Sequence, residues 1–263
     1  MASTRMEDGR DRNQMGKKKK GQNQKQKRKQ AQSGSNLQTL TLVTLLVVFL
    51  GLGVYAIVDT FTGSENADQA HEQPNAVDEE LFAYDQQPVQ GDREANVNIV
   101  EFGDFKCPVC KEFEREIFPK LKQDYLDNGQ AGFYFINNQF IAEDSVTAGI
   151  AGEAVYKQDP EAFWKFYDAI YEQQGPEHEH WATKEFLVDL AKKTVPEIDH
   201  QKLEQAIEDR KYEDEVRKDK SIATQAGVTS VPVLFINGKP VPTNKTFDYN
   251  YIKQMIEEEL KKQ

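Results

Sequence analysis

The two cysteines of this 263-residue chain stand three apart, as Cys107-Pro108-Val109-Cys110, directly after an apolar run and before a helical pattern. A bridge between them closes so short a loop that it would constrain the unfolded chain by only about 2 kcal/mol. Thiol exchange is the chemistry this spacing serves, because a CxxC whose second half lies in a helix sets the first sulfur where a thiolate is stabilised. Two blander readings stand beside it: a pair of inert buried cysteines, and half of a zinc site. Zinc normally takes four ligands, and with no third cysteine the additional candidates reduce to His71, His178, His180 and His200. Copper carriage is poorly supplied too, since Met255 is the only methionine beyond the N-terminal tail. No metal and no bound cofactor is expected.

Positioning these sulfurs requires a strand before them and a helix after. Val97 to Phe102 becomes apolar on both faces, the pattern of a covered central strand. Pro108 suits a first helical turn, and Phe113, Ile117, Leu121 and Tyr125 continue the face of Cys110 at helical spacing, with a kink predicted at Pro119 and an end at Asn128-Gly129. Gly132 to Asn137 reads as a second apolar strand, so the three elements form a right-handed parallel crossover. A helical stretch from about 144 to 226 follows, with Asp159-Pro160 as an internal helix start and Phe163, Trp164, Phe166 and Tyr167 as packing material. Val231 to Ile236, Asn237-Gly238 and Lys239 to Val241 predict a hairpin, and Phe247 to Lys262 a closing amphipathic helix. His178 and His180 are read as solvated loop histidines, and Trp181 as packing in the insertion.

The net charge of −11 conceals two opposed blocks: residues 1–36 hold eleven Lys/Arg against Glu7, Asp8 and Asp11, a net +8, and the remainder carries −19. Leu37 to Val58 has no charged side chain and is long enough to cross a bilayer as a helix. It is longer than the apolar core of a cleavable signal and lacks a small-x-small cleavage site, so it is read as a retained anchor. The basic tail then stays cytoplasmic and everything after Val58 lies outside. Topology and anionic lipid explain the lysine runs without nucleic acid. The expected organisation is tail 1–36, transmembrane anchor 37–58, polar linker 59–80 and one domain 81–263.

The order of elements, with Phe102-Gly103-Asp104-Phe105-Lys106 before the CPVC and Val228-Thr229-Ser230-Val231-Pro232 before the hairpin, resembles the DsbA-like branch of the thioredoxin superfamily, in its membrane-anchored Gram-positive form. The resemblance implies an α/β thioredoxin fold with an inserted helical domain, preceded by one transmembrane helix. It implies a protein disulfide oxidoreductase in which Cys107 is the nucleophile, Cys110 the resolving thiol and Pro232 a cis proline facing them. Without the resemblance, Pro232 would be an ordinary strand-start proline. Val231, Pro108 and Val109 are then expected against a client. Glu101 shares strand parity with Val97 and Ile99; the resemblance makes it a buried acid that relays a proton for Cys110, whereas a strand-end carboxylate reaching water is the plainer reading.

By the same resemblance the partners are exported proteins bearing cysteine thiols, and a DsbB-like quinone-reducing membrane protein that reoxidises the enzyme; a monomer is expected. Val109 stands where strong oxidases often carry histidine, which lowers the expected oxidising power, with Lys106 and Lys111 as compensating charges. A reductase or isomerase on the same fold, and a client-binding module without turnover, are the alternatives.

Overall fold

The computed structural model describes residues 73–262. The basic tail, the apolar stretch 37–58 and most of the linker lie outside the described residues; among those described, no helix is long and apolar enough to cross a membrane.

Strands β1 (Val89–Gly91), β2 (Asn98–Gly103), β3 (Gly132–Asn137), β4 (Val233–Ile236) and β5 (Lys239–Pro240) form one sheet in the order β1-β3-β2-β4-β5. The strand with the two-faced apolar pattern takes the centre: β2 pairs parallel with β3 and antiparallel with β4, so that Glu101 lies opposite Phe135 on one side and Leu234 on the other. Asn237 and Gly238 both have positive φ, 45° and 73°, as a two-residue hairpin turn requires.

Alternation along β2 sorts the core into two layers. Val100 and Phe102 face a cluster with Tyr134, Ile136, Phe235 and Phe82. Ile99, Phe133, Phe135, Leu234 and Ile236 face the other, larger cluster. That second face is covered by α1 (Pro108–Glu116), α2 (Phe118–Leu121) and the insertion. Pro119 has no N–H to continue the ladder; the chain turns at Ile117, restarts as α2 and runs into a π-helical turn, Lys122–Leu126. Gly129, at φ 73°, closes it.

The insertion comprises α3 (Glu143–Tyr156), α4 (Pro160–Glu172), α5 (Lys184–Thr194), α6 (His200–Glu208) and α7 (Glu213–Gln225). At its centre α3 is buried on every side from Ala148 to Val155, with alanines and glycines that let neighbouring helices approach closely. Asp159 caps α4 by accepting from the Glu161 and Ala162 N–H groups. Polar ties fasten the insertion to the sheet: Asp219 of α7 accepts from the Asn137 backbone at 3.1 Å and from Gln87 at 3.0 Å. Finally α8 (Tyr249–Leu260) packs Ile252 and Ile256 into the larger cluster.

Two features depart from the sequence reading. The β1 edge strand was not expected: it is three residues long, too short to show a period, and is held by Trp164 Nε1 donating to the Val89 carbonyl at 2.8 Å. The end of the stretch read as linker is bound to the fold, with the Val77 N–H donating to Gly238 O at 2.8 Å and Gln73 paired with Thr243. Polar composition signalled a linker there, but these side chains and main-chain groups find partners about 165 residues away, beyond the reach of local composition.

Candidate active site

The loop from Asp104 to Cys107 is positioned from below before either sulfur is considered. Asp104 leaves β2 with its carboxylate buried, accepting from the Lys106 N–H at 2.8 Å and from the Phe140 and Ile141 N–H groups at 2.9 and 3.1 Å. Its backbone carbonyl takes the Cys107 N–H at 2.9 Å. From α4's end, Gln174 Nε2 donates to Phe105 O at 2.8 Å and Cys107 O at 3.0 Å. Gln174 and Asp104 carry no sequence signal of this role, because their partners are backbone groups brought in by the fold.

Cys107 is the N-cap of α1, with its sulfur accepting from the Cys110 N–H at 3.4 Å. The hydrogen bond from the Cys110 thiol pulls the Cys107 pKa below its usual value; burial opposes this, and the Cys110 and Val109 N–H groups reinforce it. Cys110, fully buried, is pushed the other way, by burial first, then by donating its own proton to Cys107 and by the nearby Glu101 charge. The two thiols of one motif are therefore shifted in opposite directions. The exposed tip is Pro108 and Val109, the latter 43% exposed, and Cys107 is 5% exposed behind it.

Facing them, the Val231–Pro232 peptide is cis, and the Cys107 thiol donates toward the Val231 carbonyl at 3.7 Å. Of the residues singled out by sequence, Cys107, Cys110, Pro108, Val109, Val231 and Pro232 thus lie together at the end of the sheet.

Glu101 lies one layer deeper, with no exposed surface, and resolves the two sequence readings in favour of the buried one. Its Oε2 accepts from the Tyr167 hydroxyl at 2.8 Å, while Oε1 has no partner. Burial pushes its pKa up to about 8, with the Tyr167 hydrogen bond pulling down and the Cys107 charge pushing up.

Lys106 does not serve the thiolate as expected. Its side chain is buried and its ammonium is committed to Asp144 Oδ1 at 2.7 Å and Glu179 O at 2.7 Å. Burial opposes charge on Asp144, but Lys106 and the Ala182 N–H outweigh it and hold that carboxyl below its usual value. Lys111 instead donates to Glu172 O at 3.3 Å. His178 and His180 are exposed, on the loop that supplies Glu179.

The chain is similar to known proteins over most of the described domain. A family described as thioredoxin matches residues 84–258. The probable disulfide bond formation protein D of Bacillus anthracis is 36% identical over 217 residues, 82% of this chain and 92% of that protein. The disulfide bond formation protein D of Bacillus subtilis is 39% identical over 176 residues, 66% of this chain and 78% of the relative. The crystal structure of oxidised BdbD from Bacillus subtilis superposes with a TM-score of 0.65 at 36% identity, covering 72% of this chain and 96% of that one. A CxxC at a helix start, a facing X–Pro loop, a buried acid and relatives of this similarity lead to one assignment: the chain belongs to the DsbA-like thioredoxin family and is a protein disulfide oxidoreductase.

Proposed function

We propose that the enzyme runs in the oxidising direction, forming disulfides in exported proteins outside the cytoplasm. The observation that carries this reading is the opposed bias of the two thiols, Cys107 down and Cys110 up. Stabilising the Cys107 thiolate favours the reduced dithiol over the disulfide, which makes the oxidised enzyme the stronger oxidant. A client thiolate attacks Cys107 Sγ, the Cys107–Cys110 bond breaks, and Cys110 leaves as a thiolate that takes the proton held on Glu101. A second client thiolate attacks the client sulfur of the mixed disulfide, releasing Cys107 as a thiolate. The client loses two electrons and the enzyme gains them. During the mixed-disulfide stage the Val231 backbone, with Pro108 and Val109, lies against the client segment.

Reoxidation belongs to a DsbB-like quinone-reducing membrane partner. The apolar stretch 37–58 tethers the enzyme as a single span, with the basic tail cytoplasmic, the domain 81–263 outside and the working unit a monomer. The rival reading, a reductase or isomerase, is favoured by Val109, which brings neither charge nor hydrogen bond to the thiolate. The CxxC reduction potential separates the two: a value near −120 mV supports the oxidase, and about −270 mV, near that of thioredoxin, overturns it. Cys107→Ser is expected to abolish oxidation of a reduced test protein; retained activity would favour a binding module instead.

A further inference from the structure

The sheet order puts β2, which leads into the CPVC, between β4 on one flank and β3 on the other. The loop entering β4 carries the cis Val231–Pro232 peptide, and the loop leaving β3, residues 138–142, forms the opposite rim. Three large apolar side chains are exposed among the described residues, Phe140 at 45%, Val109 at 43% and Phe247 at 39%, and the first two adjoin the nucleophile. Val109 lies inside the motif. Phe140 is held beside it because its N–H donates to the Asp104 carboxylate, while the Asp104 backbone carbonyl takes the Cys107 N–H. An aromatic ring kept in water at the rim of a reactive site marks a contact surface, because burial in the fold gains nothing from it there.

Beyond Phe140 the surface turns from apolar to acidic. Ile141 and Ala142, both half-buried, line an open cleft of about 420 Å³ together with the exposed Glu143, Glu177 and Glu179. Lys106 and Asp144 reach the same cleft, but they neutralise each other at 2.7 Å. Glu179 meets Lys106 only through its backbone carbonyl. Arg210 feels the Glu143 charge, yet it is bound to Glu213 at 2.6 Å. Three carboxylates without a salt bridge among the described residues, set against apolar surface, favour a cation carried on an apolar stem. Resting on the oxidase reading above, we propose that Phe140 and the cleft of Glu143, Glu177 and Glu179 dock the flank of a client segment that bears an apolar residue and then Lys or Arg beside its cysteine. The occupant is an extended, unfolded stretch of an exported polypeptide.

The topology sets the order of contacts. A client strand paired with the Val231 backbone brings its cysteine to Cys107 Sγ and continues across the end of the sheet toward β3. That strand lies one spacing from β2, about 4.8 Å, which one or two residues of extended chain cover. Phe140 therefore meets a side chain one or two positions from the cysteine, and the glutamates meet one roughly three to five positions away. A segment with Asp or Glu at those places faces like charge, which lowers the rate of productive encounter more than it weakens a complex already formed.

The test uses the full chain and three dithiol peptides that differ only in the residues flanking the cysteines on both sides: Phe with Lys, Phe with Glu, and Ala with Lys. Second-order rates of oxidation by the disulfide form are measured at pH 7 in about 0.02 M and about 0.5 M salt. Each is divided by the rate with a small neutral disulfide, which removes the effect of the flank on the peptide's own thiols. The Phe-Lys peptide is expected to react about tenfold faster than the Phe-Glu peptide at low salt, at the lower end of electrostatic steering, and within about twofold at high salt. Glu177→Lys combined with Glu179→Lys, both on an exposed loop, is expected to invert that preference. Phe140→Ser is expected to slow the Phe-Lys peptide about threefold and to spare the Ala-Lys peptide. Three results overturn the docking surface while leaving the oxidase reading intact: equal rates for the Lys and Glu peptides, a preference that survives both high salt and charge reversal, or an equal effect of Phe140→Ser on both Lys peptides. If the disulfide form oxidises none of the peptides, the oxidase reading falls and the surface is judged by trapping on Cys110→Ser. There the Cys107 thiolate attacks the disulfide of the oxidised peptide and one peptide sulfur leaves as a thiolate. Faster trapping of Lys than of Glu peptides supports the docking surface, and equal trapping overturns it.

Discussion

Replacing Lys106 by methionine separates a structural role for this lysine from an electrostatic role at Cys107. The ammonium lies 2.7 Å from Asp144 Oδ1 and the two side chains are 2% and 1% exposed. Methionine keeps most of the stem's packing but leaves Asp144 with its backbone donors, Trp181 and Ala182 N–H at 3.1 and 3.2 Å, and with the exposed His180 Nδ1 at 3.8 Å. Breaking one side of a buried pair costs about 3–5 kcal/mol, against 0–1 kcal/mol for an exposed one. In a domain of this size that corresponds to a fall in Tm of roughly 6–20 °C, at 2–4 °C per kcal/mol. The sign with pH is fixed as well. Asp144 is depressed in the folded parent, so its contribution is present above the unfolded value near 3.9 and is lost as pH falls through the lower folded value. In the variant the unpaired carboxyl rises instead, and its penalty grows as pH climbs. Urea titrations at pH 4 and pH 7 should therefore show a larger difference between parent and variant at pH 7. The pH profile of Cys107 alkylation should coincide for the two proteins. A cost below about 1 kcal/mol would refute the buried-pair argument, and a displaced alkylation profile would return Lys106 to the thiolate.

Glu101→Gln removes a group whose folded pKa is raised to about 8. The neutral form is the stable one in the fold, so the parent loses stability as pH rises from its unfolded value through 8, and the variant should gain roughly 3–4 kcal/mol over the parent at pH 7 but little near pH 4, read by chemical denaturation. The same variant should oxidise a dithiol more slowly, and a parallel dependence of stability on pH in both proteins would show that Glu101 is not the titrating group. Gln174→Ala deletes the two donors that hold the Phe105 and Cys107 carbonyls, and a loss of about 1–2 kcal/mol is expected together with faster alkylation of Cys107, as the loop loosens. Unchanged alkylation would mean that Asp104 alone fixes the loop.

What was legible in the chain was what is local. The CPVC spacing, Pro108 at a helix start, the break at Pro119, the Asp159 cap and the Asn237-Gly238 turn all act within a few residues, and each lies where its chemistry predicts. The inward parity of Glu101 was legible too, but whether it met water depended on Tyr167, 66 residues away. Lys106 misled for a related reason: a lysine beside a cysteine reads as a charge for the thiolate, and its buried partner lies 38 residues on, in a helix of another layer. Strand β1, with one turn's worth of residues and an exposed glycine, had no pattern to read.

The carboxylate of Asp104 grips the loop that leads from β3 into α3, while its neighbour Lys106 grips α3 itself. Any swing of the helical insertion against the sheet would have to break these contacts at the root of the CPVC, among side chains that are buried. The catalytic tip and the insertion accordingly travel as one piece. Adjustment at the mouth of the CPVC is then left to the exposed rim at Val109 and to the Val231 backbone that faces Cys107.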